Sequence, residues 1–397
     1  MQNGDGKFWV SALNDRAKIS IAAESGPVRF YDTTLRDGEQ TVGVVLDRDQ
    51  KLEIARGLDS LGVSRIEAGF PRTSAEDAEA FGAICRADLK AEVWGFARAV
   101  LADLDEVIRL GARATVIEIP ASEIKLRAYR STPDESIRRA VDAVRHAVKH
   151  GLRVAFFAVD GSRADLAHLR RLYLAAMEAG AKEAVVVDTI GACGPEAAGY
   201  LVAQVRDWLG PSVPLHYHGH NDFGLATACA VAAVRAGAKW IQGTINGMGE
   251  RAGNADLGEV ALALECIYGV PTELKLEKIR EVSRHVRRAS GYELEPWKPV
   301  VGENLFMRES GAVATQFHLP EAIEPFSADI VSARRGIVLG KKSGIDSIAI
   351  KSRDLGLNVP ESQRGAVLAA VKQTGIKKRG LLTDDEFRAI VREICAP

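Results

Sequence analysis

Short runs of apolar and β-branched residues alternate along this chain with longer stretches in which apolar residues recur every three or four positions. The short runs predict buried strands, and the longer periodic stretches predict amphipathic helices. The predicted strands are 28–31, 65–69, 92–96, 115–119, 153–158, 184–188, 214–218 and 240–244. The helices predicted between and after them are 48–61, 75–86, 104–110, 134–150, 165–179, 196–209, 224–236 and 257–268.

This regular alternation favours a (β/α)8 TIM barrel, an α/β fold in which helices surround a closed parallel sheet. The alternative is a doubly wound open sheet, which normally has fewer strands and a glycine-rich turn after the first one. Here the first strand runs into DTTLRDGEQ at 32–40 instead. The barrel is therefore the predicted fold.

The barrel is predicted to occupy residues 28–270, after an N-terminal extension over 1–27. Beyond it the pattern changes: a helical stretch at 276–290 is followed by the break EPWKP and a loop-rich segment at 302–344. Two more helical stretches, 361–374 and 383–394, end the chain. We expect a linker helix and a small α-rich C-terminal subdomain over 271–397.

Charge and cysteine usage narrow the functional classes. The chain has 52 basic and 53 acidic residues, so its balance does not indicate a nucleic acid or an anionic membrane as partner. Five scattered cysteines without a Cys-x-x-Cys pair are typical of a reducing compartment, which predicts a cytoplasmic protein. The sequence has neither a signal-peptide pattern nor an apolar run long enough to span a bilayer. Small-molecule substrates are the better expectation.

Polar side chains follow most of the predicted strands, at the end of a barrel where active sites form. Because these strand ends meet on one rim, we expect the side chains to converge. In chain order they are Asp32, Arg36, Asp37, Arg72, Arg98, Asp160, Arg163, Asp188, Thr189, His218, His220, Asn246, Glu250, Arg251 and Asn254.

A histidine cluster, HYHGHND at 216–222, ends the seventh strand. Strand side chains alternate faces, so three imidazoles share one wall. A carboxylate, two imidazoles and an amide oxygen form a mixed site suited to Mg²⁺, Mn²⁺, Co²⁺ or Zn²⁺, whereas structural zinc would use cysteine. A His-rich polar turn without metal is the plainer alternative. The predicted ligands are Asp37, His218, His220 and Asn254.

Five motifs occur in order: FYDTTLRDGEQ (30–40), IEAGFP (66–71), DTIGACGP (188–195), HGHNDFGLA (218–226) and NGMGERAGNADL (246–257). Together they resemble the family of 2-isopropylmalate, homocitrate and citramalate synthases, within the superfamily of hydroxymethylglutaryl-CoA lyase. The resemblance implies a Claisen-type condensation of acetyl-CoA, or a related acyl-CoA, with a 2-oxo acid, dependent on a divalent metal. It also implies a homodimer. A leucine-binding regulatory domain is not expected, because little chain follows residue 344.

The resemblance also assigns roles by position. The four predicted ligands fall on the family's metal positions, and Arg36 on the arginine that stabilises developing negative charge. Thr189 falls where the 2-oxo acid carboxylate binds, and Gln40 and Arg98 fall in the pocket. Arg72 adds a cation that could pair with a second carboxylate or a CoA phosphate. By this match His216 is not a ligand and belongs to the surroundings of the site or the barrel core.

The chain departs from the family at its acid/base positions. Relatives commonly have glutamate after the fifth strand and histidine in the subdomain, where this chain has Val159 and Val313. Candidate replacements are Glu309, Asp160 and His318; His318 is preferred because its ordinary pKa suits proton transfer. The alternative for His318 is a solvated loop residue.

Two other functions stay open on the sequence. One is a lyase that cleaves a hydroxy-acyl-CoA or hydroxy acid, although the loop at 247–253 lacks the cysteine that such lyases place there. The other is a non-catalytic metabolite-binding barrel, which the two valines suggest. The fifth strand is apolar at 154–158, where lysine-pathway homocitrate synthases carry an arginine for 2-oxoglutarate. That manner of binding 2-oxoglutarate is therefore disfavoured.

Overall fold

The computed structural model describes residues 6–17 and 27–395, so about half of the predicted N-terminal extension lies outside the described residues. The described chain divides into two compact units. One contains residues 12–17 and 27–294, and the other combines 295–395 with the N-terminal segment 6–11. A four-residue helix, Leu13–Arg16 (α1), lies within the extension.

Eight parallel strands close into a barrel in which each strand pairs with the next and the last pairs with the first. The predicted TIM-barrel fold is confirmed. The strands are Arg29–Asp32 (β1), Arg65–Glu67 (β2), Glu92–Arg98 (β3), Ala114–Pro120 (β4), Arg153–Val159 (β5), Glu183–Asp188 (β6), Leu215–Gly219 (β7) and Trp240–Gly243 (β8).

Helices follow the strands and cover the barrel. They are Arg48–Leu61 (α2), Ala75–Arg86 (α3), Leu101–Arg109 (α4), Glu123–Ala128 (α5), Pro133–Lys149 (α6), Leu166–Glu178 (α7), Pro195–Leu209 (α8), Ala226–Arg235 (α9), Leu257–Cys266 (α10) and Ile279–Ser290 (α11).

The ends of these helices are set by local side-chain chemistry. Asp47 and Gln50 form a capping box at the start of α2, and Gly62 ends that helix with a φ of 92°. Helix α5 was not among the predicted helices. At six residues it is too short to show a period, and it begins where the Ser122 hydroxyl accepts from the Lys125 amide.

The interior of the barrel is apolar towards its middle and polar near the amino ends of the strands. In that polar part the Glu183 carboxylate accepts from the Arg65 guanidinium at 2.6 and 3.0 Å and lies 2.6 Å from His216 Nε2. Gln242 Nε2 lies 3.2 Å from His216 Nδ1, and the Trp240 ring stacks on the imidazole. Burial lowers the pKa of His216, so the ring is neutral and donates to Glu183. His216 is thus held in the barrel core.

The C-terminal unit has its own apolar core. Two short parallel strands, Met307–Arg308 (β9) and Gly336–Ile337 (β10), pair there, and Phe8 forms an antiparallel bridge with Phe326. Its helices are Gly311–Ala314 (α12), Ile345–Asp354 (α13), Arg364–Lys378 (α14) and Asp384–Cys395 (α15). Helix α13 was not predicted because its sequence IDSIAIKSRD is rich in isoleucine and serine, and packing of buried Ile348 outweighs that weak helix propensity.

Among the helices of the described residues, none is both long and apolar enough to cross a bilayer.

Candidate metal and substrate site

The loop after β1 is held rigidly by a buried turn. The Asp32 carboxylate accepts from the backbone amide and the hydroxyl of Thr34, both at 2.8 Å. The Thr34 hydroxyl in turn accepts from the Ile245 amide at 2.9 Å, which ties this loop to the end of β8. This turn fixes the backbone immediately before Arg36 and Asp37.

Three predicted ligands meet at the carboxyl ends of the strands. Asp37, His218 and His220 are all buried, and their ligand atoms lie within 4.8 Å of one another. Asp37 Oδ2 lies 3.2 Å from His218 Nε2 and 3.5 Å from His220 Nε2, and the two Nε2 atoms are 3.3 Å apart. Burial lowers the pKa of His218 to about 4, so this imidazole is neutral at pH 7. A neutral imidazole beside a carboxylate is a suitable donor set for a divalent cation.

Asn254, the fourth predicted ligand, borders the same cluster. It forms an antiparallel bridge with His220, and its Nδ2 donates to the Met248 carbonyl at 3.1 Å. Its Oδ1 is buried and has no hydrogen-bond partner within the described residues, and the same holds for Asp37 Oδ1. Buried oxygens are normally paired, so two orphaned acceptors side by side fit a site built for a cation.

Gly249 makes room for this arrangement. Its φ is 153°, and a Cβ atom there would lie 2.1 Å from Asn254 Nδ2 and 3.2 Å from Asp37 Oδ1. Any side chain at this position would push into the ligand cluster. Steric crowding by Asn254 and Asp37 therefore explains why the loop after the eighth strand has glycine at position 249.

Arg36 carries the positive charge beside the ligands. Its Nε donates to Glu67 at 2.6 Å and its Nη1 to Asp37 at 3.0 Å, while its guanidinium lies 4.3 Å from the centre of the Phe96 ring. Burial opposes the charge on Arg36, but Glu67 and Asp37 outweigh burial and raise its pKa above the usual value. Burial would likewise raise the pKa of Asp37, yet Arg36 beside it holds that pKa well below its usual range. Arg36 is thus charged and immobile.

Aromatic rings form the apolar wall of the site. The Phe157 ring lies 5.1 Å from the His218 ring and 6.3 Å from Phe96, measured between centroids, and Phe70 packs edge-on against Phe96. This wall restricts water around the histidines and strengthens the electrostatic interactions of the charged groups.

Thr189 and Gln40, two predicted substrate-binding residues, lie in different surroundings at this rim. Thr189 follows β6; its hydroxyl accepts from the Asp160 amide at 2.7 Å, and its carbonyl accepts from Arg251 at 2.8 Å. Gln40 ends a short 3-10 turn, Gly38–Gln40, directly after Asp37, and its side chain is exposed. Both lie on loops that leave the carboxyl ends of strands.

Arg98 and Arg72 pair with a single buried carboxylate. Asp103 of α4 accepts from Arg98 at 2.7 and 3.0 Å and lies 3.8 Å from Arg72. Both arginines are half exposed. The structure therefore brings these two cations together at Asp103, and within the described residues neither forms a hydrogen bond or an ion pair with Asp37, His218 or His220.

The candidate acid/base replacements are placed differently. Asp160 is fully buried, accepts from the Ser122 hydroxyl and pairs with Arg163 at 2.7 Å. His318 and Glu309 belong to the C-terminal unit, where His318 is exposed and Glu309 accepts from the Lys342 amide at 3.0 Å. The Asp160 carboxylate is thus already paired with Ser122 and Arg163, and the role of His318 stays a prediction.

Two carboxylates of this rim were missed from the sequence. Glu67 ends the short strand β2, is fully buried and accepts from both Arg36 and Tyr31. Glu118 lies near the end of β4, in the otherwise apolar run VIEIP at 116–120. The signal available for both was an acidic residue within a predicted buried strand, 65–69 for Glu67 and 115–119 for Glu118, because acidic side chains are seldom buried unless they are paired.

Comparison with known proteins identifies the relatives. The HMGL-like family model matches residues 27–286. The chain is 42% identical to a putative (R)-citramalate synthase of Methanopyrus kandleri over 92% of its own length and 72% of the relative. It is 41% identical to a homocitrate synthase of the same organism, covering 92% of both chains. It is also 41% identical to a 2-isopropylmalate synthase of Methanocaldococcus jannaschii, covering 92% of this chain and 71% of that one.

Among solved structures, a hydroxymethylglutaryl-CoA lyase from Bacillus subtilis matches with a TM-score of 0.63 and 20% identity, over 71% of this chain and 98% of that one. This match supports the fold alone. The resemblance inferred from the five motifs is confirmed, and the chain belongs to the HMGL-like family, among relatives named 2-isopropylmalate, homocitrate and citramalate synthases.

Proposed function

We propose that this protein is a divalent-metal-dependent synthase that condenses acetyl-CoA, or a related acyl-CoA, with a 2-oxo acid. The observation that carries the proposal is the buried cluster of Asp37, His218 and His220 beside the charged Arg36. The names of the 40–42% identical relatives support the same reaction class. The two arguments are independent, because one rests on geometry and the other on sequence.

The cluster fits a divalent metal, Mg²⁺, Mn²⁺, Co²⁺ or Zn²⁺. Asp37 and the two histidines would hold it, with the orphaned Oδ1 of Asn254 as a fourth donor. When bound, such an ion acts as a Lewis acid towards a ketone oxygen. Arg36 offers a second positive charge for the negative charge that develops on oxygen, and it needs no reorganisation because Glu67 and Phe96 already hold it.

The substrate pocket is proposed from the rim residues. Thr189 and Gln40 are proposed to contact the 2-oxo acid, and Arg98 and Arg72 to bind a further carboxylate or a CoA phosphate. On β5 the residues Val154–Ala158 are all buried and apolar, and Phe157 faces the site. A 2-oxo acid with an apolar substituent is therefore favoured over 2-oxoglutarate bound through an arginine of β5.

The assembly and location of the protein are part of the same proposal. A homodimer is proposed from the family resemblance, and the loop after β1 leaves Val42 and Val45 about four-fifths exposed, as a subunit interface would use. A cytoplasmic location is proposed from the five free cysteines.

The deciding experiment measures free-thiol release from acetyl-CoA with a panel of 2-oxo acids. Metal-stripped protein and protein loaded with Mn²⁺, Mg²⁺, Co²⁺ or Zn²⁺ are compared. We expect the release of free thiol to require metal and one particular 2-oxo acid. The substitution Asp37→Asn should abolish this release. Cleavage of a hydroxy-acyl-CoA without condensation would instead establish a lyase. No reaction in either direction would leave a metabolite-binding barrel and refute the proposal.

A further inference from the structure

Glu118 stands out among the carboxylates of the barrel because its side chain has no hydrogen-bond or ion-pair partner recorded within the described residues. It lies near the carboxyl end of β4 and is partly buried. Asp32, another acidic group at this rim, is fully buried and accepts two hydrogen bonds from Thr34. Asp37, Glu67 and Asp160 are each paired with an arginine. Within the described residues, the carboxyl group of Glu118 is therefore not engaged by a hydrogen bond or an ion pair.

The side chain of Glu118 points into the barrel. Val116, two positions earlier, is part of the interior cluster with Phe96 and Phe157, and strand residues two apart share a face. In the ladder Glu118 pairs with Arg98 on β3 and with Phe157 on β5. The Phe157 ring contacts His218, so the strand neighbour of Glu118 is itself part of the wall of the metal cluster.

Glu118 also lies next to the position that lost its acid. Val159 is two residues beyond Phe157 on the same inward face of β5, and Pro120 pairs with it across the ladder. Diagonal neighbours on adjacent strands are within reach of a long side chain. Glu118, Arg98 and Val159 line one cavity of about 80 Å³, which has room for several water-sized groups.

The electrostatic surroundings suit proton transfer. Burial raises the pKa of Glu118 to about 7, against the opposing effect of Arg36, Arg98 and Lys125 and with a contribution from Glu67. A carboxylate near this value is deprotonated often enough to act as a base at neutral pH and basic enough to take a proton.

We propose that Glu118 takes over the acid/base work of the missing carboxylate at position 159 and removes the α proton of the acyl-CoA. This inference rests on the proposed condensation. The carboxylate takes the proton, and the electron pair of the C–H bond forms the enolate of the thioester. The enolate carbon attacks the ketone carbon, and the ketone π pair becomes an alkoxide that is then protonated. Water hydrolyses the thioester to a carboxylic acid and free CoA thiol.

The test compares Glu118→Gln with Glu123→Gln, the same change at an exposed position five residues away. We expect Glu118→Gln to lower kcat by at least roughly a hundredfold, with KM for the 2-oxo acid within about threefold of the wild type. Below pH 7 the wild-type kcat should fall with an apparent pKa near 7, because the base must be deprotonated, and this limb should vanish in Glu118→Gln. Glu123→Gln should behave as the wild type.

Two further variants guard against a purely structural effect. Glu118→Asp keeps the carboxylate, so its kcat should be lower than that of the wild type but should still fall below pH 7 (the acid limb of the pH profile). This variant also tests the inference if Glu118→Gln does not fold. Adding Val159→Glu to Glu118→Gln returns a carboxylate to the same cavity and should recover at least about tenfold of the rate. Mn²⁺ affinity, measured by calorimetry, should be unchanged in all of them.

The outcomes separate the inference from the proposed function. If the wild type releases thiol and Glu118→Gln retains the wild-type kcat, or changes only KM, Glu118 is not the base although the synthase assignment stands. If Glu118→Asp loses the acid limb, the inference is likewise wrong. If the wild type releases no thiol with any substrate pair, the proposed function fails and the inference fails with it.

Discussion

Replacing Arg36 with methionine tests the electrostatic core of the site. Arg36 is 8% exposed, and it neutralises Glu67 and Asp37, which are 0% and 2% exposed. Methionine fills much of the same volume but leaves two buried carboxylates facing each other without a cation. Removing one partner of a buried ion pair typically costs about 3–5 kcal/mol, so we expect that loss in the free energy of unfolding at pH 7.

The pH dependence of this loss has a definite sign. In the wild type Arg36 holds the pKa of Asp37 below its usual range, so Asp37 contributes stability above the unfolded pKa and loses it as pH falls. In Arg36→Met that contribution is absent and burial instead favours protonated carboxyls. The difference in stability between variant and wild type should therefore shrink as the pH falls from 7 to about 4.

The assay is urea unfolding of metal-free protein at several pH values, with Arg48→Met as the matched control. Arg48 is half exposed and pairs with Asp49 and Glu79 on the surface, where solvent screens ion pairs, so its replacement should leave the free energy of unfolding close to that of the wild type. Arg36→Lys keeps the charge but cannot fork between two carboxylates, and should lose turnover more than stability. If Arg36→Met is as stable as the control at pH 7, the buried pairing of Arg36 with Glu67 and Asp37 does not stabilise the protein.

Three other predictions concern the proposed metal ligands, Gly249 and His318. His218→Ala should weaken Mn²⁺ binding, measured by calorimetry, by more than the roughly 10–100-fold that residues hydrogen-bonded to metal ligands contribute. His216→Ala, in contrast, should lower the melting temperature, because His216 is hydrogen-bonded in the barrel core. Equal metal affinity in the two variants would contradict the assignment of His218 as a ligand and His216 as a core residue. Gly249→Ala should displace Asn254 and weaken Mn²⁺ binding. The control is Gly111→Ala, which has a φ of 95° and no atom within 4 Å of the new Cβ, so it should cost only backbone strain of about 1–2 kcal/mol. Unchanged metal affinity in Gly249→Ala would show that Asn254 does not bind the metal. His318→Ala should lower turnover by at least roughly tenfold if His318 is the second acid/base group, and an unchanged rate would exclude it.

The barrel was predictable because its information is local and repeated. Each strand is an apolar run, and each helix has its own period and stop signal, so the order of elements follows from short windows of sequence. The exceptions are instructive. Helix α5 is too short to show a period, and α13 has a composition that local propensity does not favour, so only packing in the C-terminal unit makes it helical.

The cluster of Asp37, His218 and His220 could also be predicted from the sequence, because these residues lie at or just beyond the carboxyl ends of strands that must meet in a closed barrel. The partners of these residues could not, because pairing across the barrel depends on register and side-chain reach. His216 has the same parity as His218, yet Glu183 and Gln242 hold it in the core. Arg98 is the last residue of β3 and Arg72 follows β2, yet both pair with Asp103. Glu118, which no motif marks, becomes a candidate base only because tertiary structure places it beside Val159 and leaves its carboxylate unpaired.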